Sequence, residues 1–365
     1  MDEALFAPVG RARGRGRSPD EPQLFAALDL GTNNCRLLIA TPSARGFRIL
    51  DAYSRIVRLG EGLSQTGRLA EGAMARALSA LTVCAGKIER RGVSRVRAVA
   101  TQACRAAANG PGFIETVERE TGLRLSIITP REEAQLAVAG CLNLIDQSSR
   151  AALVLDVGGG STEMSWLDLT EPLDIAPRRL AHWRLPIKAW LSVPVGVVTL
   201  AEQFPEGDGG EVWFREMVEA MKAQIARFTH ADAFRAAFQT GEAHIVGTSG
   251  AITSLAGIHL RLARYDRAKV DGLWMTREDC DAVTRRLGAL SVEQRAAEPC
   301  IGPDRADLVM AGAAILTAVQ ELWPCQRVRV ADRGLREGLL LSLMSNRRRG
   351  GAGRHRGASH RAAAT

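Results

Sequence analysis

The stretch Ala152-Leu153-Val154-Leu155-Asp156-Val157-Gly158-Gly159-Gly160-Ser161-Thr162-Glu163-Met164 constrains this chain more than any other. Its apolar residues predict a short buried strand, Asp156 sits at the strand's end, and three consecutive glycines break it. Without Cβ atoms, such a turn brings backbone N–H groups close to an anion. Asp156 is placed to hold a metal beside that anion. An earlier stretch, Phe25-Ala26-Ala27-Leu28-Asp29-Leu30-Gly31-Thr32-Asn33-Asn34-Cys35-Arg36, has the same order: apolar strand, Asp, apolar residue, Gly, small polar residues. One such loop suits a plain hairpin turn as well as a phosphate cradle. Two copies predict duplicated lobes facing one phosphate site.

The 365 residues favour two domains, each able to bury its own core. Hydrophobic residues at 46% and charged residues at 24% are those of a soluble globular protein. The seven cysteines are odd in number and contain no C-x-x-C pair, which argues against a disulfide framework or a zinc site and fits a reducing cytosol. The first residues lack a basic, apolar leader, and no apolar run approaches the roughly 18 residues needed to span a bilayer. A cytoplasmic protein with no membrane partner is therefore expected.

The net charge of +8 is concentrated at one end. Residues 347–365 hold six arginines and no acid, and the remainder of the chain carries only +2. That Gly-, Ala- and Arg-rich segment predicts a disordered basic tail, either a bland solubilising one or one that binds a polyanion weakly. Residues 1–22 read as a second disordered tail.

Between the tails, strands and helices alternate in two matched halves, a first lobe over 23–138 and a second over 139–346. The last helix, 335–345, is left free to pack on the first lobe. A helix over 70–90 carries Met74, Leu78, Leu81, Ala85 and Ile88 at helical spacing. Residues 172–200 read as irregular. At Thr129-Pro130-Arg131-Glu132-Glu133-Ala134, Thr129 is an N-cap, and Glu132 three residues on completes a capping box by folding back on the Thr129 amide. Glu133 is then free to point elsewhere. The third glycine turn, Gly247-Thr248-Ser249-Gly250-Ala251, suits a phosphate or nucleotide at a helix N-terminus and tight packing equally.

Two α/β lobes with D-x-G loops and an interlobe cleft resemble the actin, Hsp70 and sugar-kinase superfamily (ASKHA, ribonuclease H-like). Within it the chain is similar to the exopolyphosphatase and guanosine pentaphosphatase (Ppx/GppA) family. The matching stretches run in family order: Ala27–Asn33, Ala100–Arg105, Arg131–Ala134, Asp156–Glu163, Gly247–Gly250 and Leu335–Gly338. The resemblance implies a phosphohydrolase that releases terminal phosphate from polyphosphate or guanosine pentaphosphate. Glu133 would be the general base and Arg105 the cation facing the transferred phosphoryl group. Gly31, Thr32, Asn33, Asn34, Gly158, Gly159, Gly160, Ser161 and Thr162 would bind phosphate. Asp156 and Glu163 would hold Mg²⁺, and a homodimer is implied.

Two departures from the family are visible. Larger members carry a further helical HD-type domain, so a shortened polyphosphate groove is expected here. Cys35-Arg36 stands where some relatives have an aromatic and a histidine, and Arg36 faces either the site or the far side of its strand. Two rival functions share the same loops. One is an actin-fold kinase or ATPase, against which Arg105 and the setting of Glu133 argue. The other is a polyphosphate or alarmone sensor without turnover.

Overall fold

The computed structural model describes residues 23–44, 46–173, 185–207 and 209–345. Both expected tails, 1–22 and 347–365, lie outside the described residues.

The first sheet contains β1 (Phe25–Leu30), β2 (Asn34–Ser43), β3 (Gly46–Ile56), β4 (Arg95–Ala100) and β5 (Leu125–Ile127), in the order β3-β2-β1-β4-β5. The second contains β6 (Ala151–Val157), β7 (Thr162–Asp168), β8 (Ile187–Val193), β9 (Ala243–Thr248), β10 (Trp274–Thr276) and β11 (Arg327–Ala331), in the order β10-β11-β9-β6-β7-β8. Each sheet opens with a three-strand antiparallel meander. Two parallel strands are then added on its far side. The second sheet adds β10, antiparallel to β11, at its edge. The same plan built twice is the duplicated actin-like α/β fold.

Helices cover the sheets because their apolar residues recur every three to four positions. Helix Glu71–Arg90 buries Ala73, Ala77, Ala80, Leu81, Cys84 and Ile88. The expected stripe was turned slightly: Met74, Leu78 and Ala85 flank this face, and the small alanines meet the sheet and let the helix lie close. The second lobe's core joins β6, β7 and β9 to helices Gly210–Ile225, Ser249–His259 and Val309–Leu322. The reading of 172–200 as irregular is corrected in part. β8 and helix Val197–Gln203 occupy its second half, while residues 174–184 lie outside the described residues.

Helix Pro130–Cys141 leads from the first lobe to the second, and the last helix, Leu335–Ser345, crosses it. The crossing is made at glycines. A Cβ on Gly338 would stand 2.1 Å from Leu136 O, and one on Gly140 would stand 2.0 Å from Gly334 O. Beyond the crossing, Leu335, Leu339, Leu340 and Leu343 pack on Phe25, Ala27, Leu38, Ala40 and Val99 of the first sheet. Helix Leu335–Ser345 therefore rests on β1 and its neighbours in the first sheet.

Candidate active site

The two glycine loops meet in the cleft and line a cavity of about 90 Å³. They are the same turn twice: Gly31 N donates to Asn34 O at 2.9 Å, and Gly158 N donates to Ser161 O at 3.0 Å. Among the described residues, the amides of Thr32, Asn33, Gly159 and Gly160 make no hydrogen bond within the protein. None of the three glycines 158–160 needs a left-handed backbone. Close approach demands them instead, since a Cβ on Gly159 would lie 3.0 Å from Thr32 Cβ and one on Gly160 would lie 2.7 Å from Thr32 Oγ1. The loops touch, and their spare amides make a nest for an anion.

Register decides the side of Arg36. Asp29 stands opposite Arg36 across β1–β2, as Asp156 stands opposite Glu163 across β6–β7. Opposite residues of an antiparallel pair share a face, so Arg36 turns to the site and lines the cavity. Asp29 and Asp156 line it too. Burial raises the carboxyl of Asp29, and Arg36 opposes the shift. Burial, then the neighbouring Asp29 charge, push Asp156 up to about 6.

Thr129 caps helix Pro130–Cys141 by accepting from Glu132 N at 3.2 Å. The second half of the expected capping box is not made. The Glu132 carboxylate pairs instead with Arg97 on β4, because a guanidinium is a stronger partner than one amide. Glu133, one position on, enters the cavity and is 8% exposed. Burial pushes its pKa well above the ordinary glutamate value, followed by the charge of Glu163, while Arg105 acts in the opposite sense.

Arg105, Thr162 and Glu163 are not among the residues that line the cavity, although Arg105 and Glu163 act on Glu133, which does. Arg105 spends its fork on Ile128 O at 2.7 Å, Glu133 Oε2 at 3.1 Å and Gln102 Oε1 at 2.7 Å. The Thr162 hydroxyl donates to Val195 O at 2.7 Å, because β7 begins there and turns that side chain into the lobe. Glu163 accepts from Ser192 Oγ at 2.8 Å; burial, then Asp156, push its pKa up to about 7. The other residues expected to bind phosphate, Gly31, Thr32, Asn33, Asn34, Gly158, Gly159, Gly160 and Ser161, all line the cavity.

Asp29, Thr101, Gln102 and the run Asp332–Glu337 also line the cavity and were not named as site residues from the sequence. Asp29, Thr101, Gln102 and Leu335–Glu337 lie in the stretches that match the family, which was the available signal. Glu337 accepts from Gly334 N and from Arg267, both at 2.9 Å, and so fixes the loop that brings Arg336 inward. The third glycine turn also reaches the cavity. Ser249, at φ 81°, starts its helix there in a left-handed conformation that a serine rarely adopts.

Among the described residues, no three His, Cys, Asp or Glu side chains form a ready metal cage. The donors that are present nonetheless fit a hard divalent cation. Asp29 Oδ1 is buried without a partner, Asp156 lies beside it, and both offer only oxygen. A magnesium ion needs one or two carboxylates when substrate phosphate supplies further oxygens.

A duplicated actin-like fold, with anion nests converging on a buried carboxylate, suits an enzyme that cuts phosphoanhydride bonds, and the family match makes that class a phosphatase. The Ppx/GppA phosphatase family profile matches residues 38–347, and the chain belongs to that family. It is 30% identical over 336 residues to Exopolyphosphatase 2 of Mycobacterium tuberculosis, covering 87% of this chain and 98% of that one. It is 29% identical to the Guanosine-5'-triphosphate,3'-diphosphate pyrophosphatase of Aeromonas hydrophila, covering 88% of this chain and 60% of that one. A crystal structure of an exopolyphosphatase-like protein superposes with a TM-score of 0.76 at 27% identity, covering 89% of this chain and 99% of that one. The Aquifex aeolicus Ppx/GppA family member gives 0.70 at 27% identity, covering 90% and 99%. No helix among the described residues is long and apolar enough to cross a membrane.

Proposed function

We propose that this chain is an exopolyphosphatase that releases terminal orthophosphate from inorganic polyphosphate. The observation that carries the reading is Glu133, held by Arg105 at the wall of the cavity where both anion nests meet. The cavity takes a terminal phosphoryl group between the two nests. The remainder of the substrate then lies along the cleft, which favours cutting at chain ends.

Phosphoryl transfer asks for positioning and charge stabilisation more than covalent chemistry. The amides of Thr32, Asn33, Gly159 and Gly160 hold the non-bridging oxygens of the terminal phosphate. Arg36 and Arg336 add positive charge at the same wall. Glu133 takes a proton from a water whose oxygen attacks the terminal phosphorus. The bond from phosphorus to the bridging oxygen breaks, and the shortened chain leaves with that oxygen. Arg105 orients Glu133 and opposes the burial and the Glu163 charge that raise its pKa. Magnesium, held by Asp29 and Asp156 with Glu163 behind them, would supply charge neutralisation on the phosphate oxygens.

The relative from Aeromonas hydrophila supports a second substrate, guanosine pentaphosphate, whose 5' end presents the same terminal phosphoryl group. Phosphate release with Mg²⁺ from short polyphosphate, long polyphosphate, guanosine pentaphosphate and ATP, compared side by side, separates the readings. Glu133→Gln should lower the release by at least about 100-fold, the contribution of a general base. Binding without release from any of the four would replace the enzyme with a sensor.

A further inference from the structure

Segment 57–64, which follows β3, ties the first phosphate loop to the second lobe. Its amides hold that loop from behind: Val57 N and Arg58 N donate to Asn33 O at 2.9 and 3.1 Å, and Gly60 N donates to Thr32 O at 2.9 Å. Its other end is held by Glu202 of helix Val197–Gln203. That carboxylate accepts from Gly62 N at 2.8 Å and from Ser64 Oγ at 2.6 Å. The same helix begins by donating Val197 N to Gly158 O at 3.0 Å and Val198 N to Gly159 O at 2.8 Å. A bonded frame therefore runs from the carbonyl side of one phosphate loop, through Gly62 and Glu202, to the carbonyl side of the other. It leaves the amide side of both loops to the cavity.

A second tie runs beside it. Arg58, at φ 45°, places its guanidinium on both oxygens of Asp307, at 2.9 and 3.1 Å, and on Asp304 O at 3.2 Å. Its side chain is 34% exposed and that of Asp307 is 42% exposed, so water screens the pair heavily. Glu202 carries more weight, because one of its partners is a backbone amide with no rotamer freedom to lose. Glu202 does not reach the cavity. It lines a neighbouring hollow of about 470 Å³, which Asn33 also borders.

We propose that Glu202 is a positioning residue, which sets the separation of the two phosphate loops through segment 57–64. The inference rests on the reading of both loops as phosphate grips. The loops touch at Gly159 and Thr32, so they have no slack, and a small change in their separation alters every bond to a phosphate between them.

The test is a calorimetric titration of tripolyphosphate, with Mg²⁺, into Glu133→Gln protein with and without Glu202→Ala. Phosphate release and melting temperature are measured for Glu202→Ala alone. Loss of a hydrogen-bonded charged acceptor predicts affinity weakened about tenfold. Glu202→Gln, which keeps one acceptor oxygen, should recover part of it. Ser64→Ala added to Glu202→Ala should change nothing further, because the two share one contact. Unchanged affinity in Glu202→Ala overturns the proposal. So does a loss of release that only follows a smaller folded fraction at constant KM. If the unaltered protein releases no phosphate yet Glu202→Ala still weakens binding, the hydrolase reading fails and the positioning role stands.

Discussion

Arg105 Nη1 donates to Glu133 Oε2 at 3.1 Å while the same guanidinium holds Ile128 O and Gln102 Oε1. The cation expected to face the phosphoryl group is bonded to the base and anchored on three sides by the first lobe. Its charge lowers a Glu133 pKa that burial and the Glu163 charge raise. The base works only when ionised, so activity falls as pH drops through that pKa. Arg105→Gln removes the opposing charge, and the acid limb of the pH–rate profile should move to higher pH. Arg105→Lys keeps the charge and loses the fork. Its acid limb should stay near that of the unaltered protein, while kcat falls about 10-fold from a loosely held base. A pH–rate profile of the three proteins checks both statements. Coincident limbs would show that Arg105 does not act on Glu133.

The orphaned Oδ1 of Asp29 gives a second prediction. Asp29→Asn keeps the shape of the side chain and removes one of the two carboxylates best placed for a divalent cation. The Mg²⁺ concentration for half-maximal release should rise by more than the roughly 10-fold that loss of an outer hydrogen bond costs a metal site. Excess Mg²⁺ should restore part of the rate. Magnesium titration of the variant, after removal of metal with a chelator, measures the shift, and an unchanged midpoint would take Asp29 out of the metal site.

Much of this site was legible because duplication is written in short range. Asp29 and Asp156 each precede an apolar residue and a glycine, and the turns that follow have the same length. Counting outward from those turns would also have placed Arg36 on the face of Asp29, as Glu163 stands opposite Asp156. That count was the missed signal. β8 was missed although Ile187, Ala189, Leu191 and Val193 alternate, because prolines flank it and an edge strand buries only part of its pattern. Partners brought by the fold could not be read at all. Glu132 satisfies every local rule for a capping box, and Arg97, 35 residues away, takes its carboxylate. The ties from Glu202 to Gly62 and Ser64 span about 140 residues and leave no trace in either segment.

His244 supplies a stability prediction independent of catalysis. It is fully buried in β9; its Nδ1 bonds Ser149 Oγ at 3.0 Å, and its Nε2 accepts from Asp146 N at 3.2 Å. An imidazole that accepts at Nε2 is neutral, and protonation would turn that acceptor into a donor facing another donor. Burial lowers its pKa from the usual 6.5 to about 4. Between those values the unfolded chain binds the proton that the folded chain refuses. The stability it contributes is whole above pH 6.5 and declines as pH falls toward 4, by about 3 kcal/mol in total. Unfolding by urea at pH 7.5 and pH 5 should show about two-thirds of this loss, about 2 kcal/mol, and His244→Asn should show a smaller difference between the two pH values. An equal difference in both proteins would remove His244 as the cause.

The crossing of helices Pro130–Cys141 and Leu335–Ser345 gives the last prediction, and it joins stability to the site. A Cβ on Gly338 would stand 2.1 Å from Leu136 O and 2.8 Å from Leu136 C, which are backbone atoms that cannot rotate aside. Gly338→Ala must therefore part the helices, at an overpacking cost of about 1–3 kcal/mol. Leu136 lies one turn beyond Glu133 on the same helix, so the shift reaches the base as well as the core. The melting temperature should fall by several degrees, and the folded protein should show a lower kcat. Gly112→Ala is the control. Its Cβ would meet nothing within 4 Å, and its place in helix Gly110–Thr121 favours alanine by about 0.5–1 kcal/mol. Gly112→Ala should match or exceed the stability of the unaltered protein at full activity. Thermal melts and phosphate release of the two variants, run together, separate a close helix crossing from the general effect of replacing a glycine; equal behaviour would mean that the crossing at Gly338 has room to spare.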